Sequence, residues 1–261
     1  MLLATLVVAA GLACGAPERA DLVGCERALR QGKVVSSREV GQGISGAVLM
    51  RLRHGDAEVP AVFKSAETSF KGYGFHGETV ATYRDTWRHE VAAYELDRLL
   101  GLRLVPPTVE RKLGGKRGSL QAWAERPLSR FGQGPPPEDP GRAETYMHAQ
   151  RFFDYLIFNT DRHVRNVLLG SDWRPVVIDN SIAFHPLVRP YRPLHRFPRG
   201  PAEALDRLDP HLLRQRLGRY LEKDEIQGLL ARRDRLLALM AAARAEGRKD
   251  AFFEWGDGVR R

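Results

Sequence analysis

One stretch limits the folds open to this chain more than any other. From Asp154 to Phe158 an apolar helix reaches its end, and Asn159, Asp161, Arg162, His163, Arg165 and Asn166 then form a polar knot. Val167-Leu168-Leu169 returns at once to apolar strand. Upstream, Ala143 to Asn159 has helical spacing through Tyr146, Phe153 and Ile157, with Met147 and Leu156 alongside. Downstream, Val176-Val177-Ile178 reads as a short buried strand that ends on a carboxylate, Asp179.

The residues ahead of this stretch are of a different kind. Val34 to Val40, Ala47 to His54 and Val59 to Lys64 read as strands, and in the second of them Val48, Met50 and Leu52 alternate with Leu49, Arg51 and Arg53. His54-Gly55-Asp56 supplies the turn that makes the second and third a hairpin. Asp85 to Leu102 has a helical stripe of Ala92, Leu96, Leu99 and Leu100, with Gly101 at its end and Pro106-Pro107 beyond it. Ser119 to Ala124 is a further strand. Asp209-Pro210 marks a helix start, and Ile226 to Ala245 is a long Leu/Ala/Arg helix whose Arg232, Arg233 and Arg235 read as a charged face over a Leu core. The expected organisation is an α+β, two-lobed chain: a β-rich lobe over 33–130, a Pro-rich hinge over 131–142, a helical lobe over 143–250 and a tail over 251–261.

Candidate chemistry follows from the residue types. Gly41, Gly43 and Gly46 match G-x-G-x-x-G, and the alternating strand after them places the loop between antiparallel strands, where backbone can approach phosphates. Taken alone it is equally a flexible hairpin turn. Lys64 ends the next strand and can reach α- and β-phosphates if a carboxylate holds it; Glu90 and Glu95 both qualify, and Glu90 lies beside the apolar stripe. Asp161 and Asn166 match the D-x-x-x-x-N spacing in which a carboxylate takes a hydroxyl proton and an amide oxygen ligates a metal. Asp179 stands where a second metal ligand belongs. The competing account is an ion-pair knot of Asp161 with Arg162 or Arg165 and a strand-terminal Asp in a turn.

His89 to Gly101 with Val105-Pro106-Pro107, Asn159 to His163 and Ile178-Asp179-Asn180 resemble the secretory-pathway kinases of the four-jointed and Golgi casein kinase family. The D-R-H-x-x-N pattern followed by I-D is similar, more distantly, to phosphatidylinositol 3- and 4-kinases and HipA-type kinases. The resemblance covers roughly Gly41 to Phe184. It implies an atypical kinase fold, ATP with Mg²⁺ or Mn²⁺, and a hydroxyl acceptor on a protein or glycan. It also implies Lys64 and Glu90 as an ion pair, Asp161 as base, and Asn166 and Asp179 as metal ligands. Asn180-Ser181 follows Asp179 where a glycine is common. A lipid kinase and a nucleotide-binding pseudokinase scaffold are the alternatives.

Charge and cysteine content narrow the rest. A formal charge of +9 favours anionic partners, an acidic substrate among them, but no aromatic-interleaved platform supports nucleic acid. Arg189, Arg192, Arg196 and Arg199, interleaved with prolines after Asp179, read either as a substrate-facing basic row or as a solvated loop. Two Cys exclude a disulfide scaffold. Met1 to Ala13 is uncharged and apolar, so residues 1–20 read as a secretory or lipoprotein signal, with Cys14 as the lipid-bearing residue and membrane attachment through it. If Cys14 carries no lipid, it can bridge to Cys25. Export to the cell envelope is the expectation, with a cytoplasmic location if the segment is not a signal.

Overall fold

A computed structural model of the chain describes residues 14–16, 20–40, 46–75, 78–124, 129–130, 137–159, 161–170, 172–187 and 194–256. Two hydrophobic clusters organise them. The first lobe is a five-stranded antiparallel sheet in the order β1 (Lys33–Glu39), β2 (Val48–His54), β3 (Ala57–Lys64), β7 (Lys116–Ala122), β6 (Thr108–Leu113). Its core joins Leu52, Val59, Ala61, Phe63, Val109 and Leu120 to Ala28 and Leu29 of helix α1 (Leu22–Gln31). Leu52 and Val59 are partners across the β2–β3 hairpin, which closes at Gly55 with φ +60°.

Helix α1 was not foreseen from the sequence, and it carries a correction. Cys14 and Cys25 form a disulfide, with Cα atoms 5.6 Å apart. A sulfur shared with Cys25 cannot carry a thioether-linked lipid, so membrane attachment through Cys14 is not supported. The bridge packs into the first lobe, where both cysteines are buried. It lays Gly15 against the end of β7: a Cβ there would stand 2.5 Å from the Trp123 carbonyl oxygen, so only glycine allows this approach. The apolar segment 1–13 lies outside the described residues. Among those described, no helix is long and apolar enough to cross a membrane.

A two-stranded hairpin, β4 (Glu67–Phe75) with β5 (Glu78–Thr86), leads into helix α2 (Trp87–Leu100). Thr86 caps its start by accepting from Arg88 N, and Gly101 ends it in the left-handed region at φ +68°. Helix α2 lies in sequence between strands of the first lobe's sheet, but Ala92, Ala93, Tyr94, Leu96 and Leu100 pack into the second cluster. That cluster is the helical lobe. It is built from α3 (Pro140–Ile157), α4 (Arg199–Ala204), α5 (Pro210–Leu217) and α6 (Lys223–Ala245). Strands β8 (Ser129–Arg130), β9 (Val167–Leu169) and β10 (Pro175–Val177) form a small antiparallel sheet beside them. Strand β11 (Phe197–Pro198) pairs in parallel with β12 (Phe252–Phe253), so residues 251–253 belong to the core.

Arg232 departs from the expected charged face of α6, being fully buried. Its guanidinium donates from Nε to Leu156 O (2.9 Å) and from Nη1 to His185 O (2.7 Å) and Leu187 O (2.6 Å). A cation that meets the carbonyls at the end of α3 also complements the negative end of that helix. Burial lowers its pKa to about 9.

Candidate active site

The site lies where β3, α2 and the segment after β10 meet. Lys64 Nζ donates to Glu90 Oε1 at 2.5 Å and to Asp179 Oδ1 at 2.8 Å. Glu90 is buried, and its other oxygen accepts from the backbone amide of Asn180 at 3.0 Å. Burial works against the Lys64 ammonium, but Glu90 and Asp179 outweigh it and raise its pKa above the usual lysine range. The half-exposed Asp179 is held below the usual carboxylate range: burial would raise it, and Lys64 more than offsets that. Glu95, the other sequence candidate, pairs instead with Arg216 on α5.

Asp179 has φ +59°, a left-handed conformation that Asp tolerates better than most residues. The position after it needs no glycine because the segment is pinned residue by residue. Asn180 Oδ1 accepts from Arg162 Nη2 (2.5 Å) and from Asn159 Nδ2 (3.3 Å). Ser181 O accepts from Thr86 N (3.0 Å) and from His89 Nδ1 (2.8 Å).

The polar knot is organised by Arg162, and not by the pairing first considered. Arg162 donates to Asp154, to Asn166 O (3.1 Å) and to Ile178 O (2.5 Å). One buried guanidinium thus ties the end of α3, the loop and β10 together. Asp161 lies alongside with 46% of its side chain exposed, its amide held by Asn159 Oδ1 (3.0 Å) and its Oδ2 3.9 Å from His163 Nε2. Asn166 ends a 3₁₀ turn (Val164–Asn166) capped by His163, and its Nδ2 donates to Asp161 O at 3.3 Å. Ile178 N donates to Asn166 O (3.1 Å), which brings Asn166 and Asp179 to the same end of β10.

Lys64, Glu90 and Asp179 are therefore in direct contact, and Asp161 and Asn166 join them through Arg162 and the β9–β10 backbone. Gly41 and Gly43 lie outside the described residues, whereas Gly46 precedes β2 with φ +55°. Of the basic row, Arg189 and Arg192 lie outside the described residues, while Arg196 pairs with Glu144 and Arg199 with Glu254. The structural roles of Asp154, His89 and Glu225 were missed from the sequence, and Arg162 was considered there only as a partner of Asp161. Asp154 left a trace there, as a carboxylate on the buried side of an apolar helix.

No cluster of three or more His, Cys, Asp or Glu with metal-holding geometry occurs among the described residues. Asp179 and Asn166 nevertheless fit a hard divalent cation, which takes one or two protein oxygens and completes its shell with phosphate and water. Asp179 Oδ1 is occupied by Lys64, Asp179 is half-exposed, and Asn166 spends its amide nitrogen on the Asp161 carbonyl, which leaves oxygen as its free ligand.

No protein-family model matches the chain, and no curated protein sequence matches it. Solved structures do. The structure of hydra Fam20 with sugar superposes with TM-score 0.58 at 16% identity, covering 89% of this chain and 92% of that one. The Golgi casein kinase gives 0.59 at 14% identity, covering 86% and 75%, and has also been solved with Mn/ADP bound. The Helicobacter pylori proinflammatory kinase CtkA gives 0.51 at 11% identity, covering 85% and 98%. At these identities the likeness establishes the fold, which is an atypical protein-kinase-like one.

Proposed function

We propose that the protein is an ATP-dependent phosphotransferase that moves the γ-phosphoryl group to a hydroxyl on a protein or glycan. The observation that carries the reading is Lys64 held between Glu90 and Asp179, which bring together β3, α2 and the segment after β10. Lys64, kept charged and fixed by Glu90, neutralises the nucleotide phosphates. Asp161, partly exposed and not bound to Arg162, accepts the proton of the attacking hydroxyl and orients it in line. Asp179 and Asn166 would hold Mg²⁺ or Mn²⁺, which supplies charge neutralisation at the phosphate oxygens. The Mn/ADP complex of the casein kinase and the sugar in the hydra structure support the cofactor and the acceptor classes.

The Cys14–Cys25 bridge supports an oxidising compartment and hence export, because disulfides persist outside the reducing cytosol. A nucleotide supply in that compartment is then required.

The test is transfer from γ-labelled ATP with Mn²⁺ or Mg²⁺ to envelope proteins and glycans, using Asp161→Asn and Asp179→Asn. Each variant is expected to lose roughly 10²-fold or more in turnover, the range for removing a general base or a metal ligand. Undiminished transfer in both rejects the reading. Nucleotide binding without turnover by the wild type favours the scaffold alternative.

A further inference from the structure

Helix α2 is tied to the helical lobe by a buried ionic cluster that lies one residue from Glu90. His89 is 1% exposed. Its Nδ1 faces the Ser181 carbonyl at 2.8 Å, and a carbonyl can only accept, so the ring donates there. Its Nε2 stands 3.0 Å from Glu225 Oε1, at the first turn of α6, and 3.4 Å from Arg84 Nη2. Arg84, at the end of β5, grips both oxygens of Glu225, with Nε to Oε1 at 2.9 Å and Nη2 to Oε2 at 2.5 Å. Glu225 Oε2 also accepts from Glu222 N (2.8 Å), the capping contact that starts α6. Arg84 and His89 hold the Glu225 carboxyl down at about 2, against a burial effect that would raise it. The His89 ring leans on Phe184, with centroids 5.6 Å apart.

Consecutive residues of α2 therefore hold consecutive residues after Asp179. His89 holds Ser181 O, and Glu90 holds Asn180 N and Lys64. We propose that His89 is a positioning residue: braced from behind by Glu225 and Arg84, it fixes the Ser181 carbonyl and thereby keeps Asp179 facing Lys64. The Lys64–Glu90 pair is thereby tied, through adjacent residues of α2, to the start of α6. The packing of α2 into the helical lobe's core points the same way. The consequence for turnover rests on the phosphotransfer reading, whereas the structural half stands without it.

Two substitutions separate the two faces of the ring. An asparagine amide can reproduce the Nδ1 donor toward Ser181 and cannot reach Glu225. A glutamine amide can reproduce the Nε2 contact with Glu225 and cannot serve Ser181. The full chain, His89→Asn and His89→Gln are compared by amide hydrogen exchange at Thr86 and Asn180, by melting temperature, and by kcat and KM for ATP. In His89→Gln the two amides are expected to exchange at least ~10-fold faster, a local opening with the global melt retained. Its kcat is expected to fall roughly 10- to 100-fold, as for a small misplacement of a reacting group. His89→Asn, which keeps the Ser181 contact but lacks the brace, is expected to fall between wild type and His89→Gln in both.

Equal protection in all three proteins overturns the proposal, as do losses in both variants that only track melting temperature. If His89→Gln does not fold, Glu225→Gln replaces it: faster exchange at Asn180 is expected, and unchanged exchange counts against the brace. A wild type that transfers no phosphate removes the enzymatic reading and leaves the exchange comparison to decide the positioning.

Discussion

Arg162 donates from Nε to both oxygens of Asp154, at 3.1 and 3.2 Å, and turns away from its sequence neighbour Asp161. Both partners are buried, and Gln150 also donates to Asp154. The pair therefore acts as scaffold and leaves Asp161 to the general-base role proposed for it. Asp154→Ala strands a buried guanidinium and is expected to lose about 3–5 kcal/mol in urea unfolding. Asp154→Asn, which keeps an acceptor oxygen, is expected to lose clearly less. An alanine variant as stable as wild type would show that the pair holds nothing together.

Lys64 is the reciprocal case, a cation whose removal leaves Glu90 buried beside Asp179. Lys64→Met is expected to lose phosphoryl transfer and, for the same reason of an uncompensated buried charge, several kcal/mol of stability. Lys64→Arg keeps the charge but replaces a compact ammonium with a planar fork that does not fit between the two carboxylates. It should fold, with the melting-temperature rise caused by ATP and Mn²⁺ reduced or absent. A nucleotide-induced shift equal to that of wild type contradicts the role given to Lys64.

The disulfide joins two cysteines 11 positions apart, Cys14 and Cys25. Loop-closure entropy for that length corresponds to roughly 3 kcal/mol. Reduction, or Cys14→Ser with Cys25→Ser, is expected to lower the urea midpoint accordingly and to leave the slope nearly unchanged. A non-reducing peptide map should recover the two cysteines linked. A Cys14 peptide of lipid-modified mass is the opposing outcome.

The periodic parts of the fold were legible because their reasons are local. Alternation gave β2, the i, i+4 stripe gave α2 and Asp209-Pro210 gave α5, whose cap accepts from Leu212 N at 2.8 Å. Lys64, Glu90 and Asp179 were legible for another reason: each ends or lines a short periodic element, so its direction follows from the pattern. What escaped notice is non-local. His89 meets Glu225 across 136 positions, and Arg232 meets the Leu156 carbonyl across 76. Nothing in the composition of α6 distinguishes an arginine that satisfies carbonyls inside the core from its exposed neighbour Arg235. The β4–β5 hairpin was missed as well, since its strands pair with each other and with no other strand among the described residues.

Asp97 gives the pH dependence a definite sign. It is buried near the end of α2 and accepts from Leu104 N at 3.0 Å and Val105 N at 3.4 Å, fixing the turn that leads to β6. Burial raises its pKa to about 7, against the opposing pull of those amides and of Arg174. Below the unfolded carboxylate value of ~4 the group is protonated in both states, and its stabilising contribution is fully present. Between ~4 and 7 the folded protein keeps a proton that the unfolded chain has released, so stability falls as pH rises; above 7 both states are ionised and the contribution is gone. The slope can approach ~1.4 kcal/mol per pH unit in the middle of that window. Urea unfolding at pH 5, 6, 7 and 8 should show the decline in wild type and a flatter profile in Asp97→Asn. Parallel profiles would mean that the proton is held elsewhere.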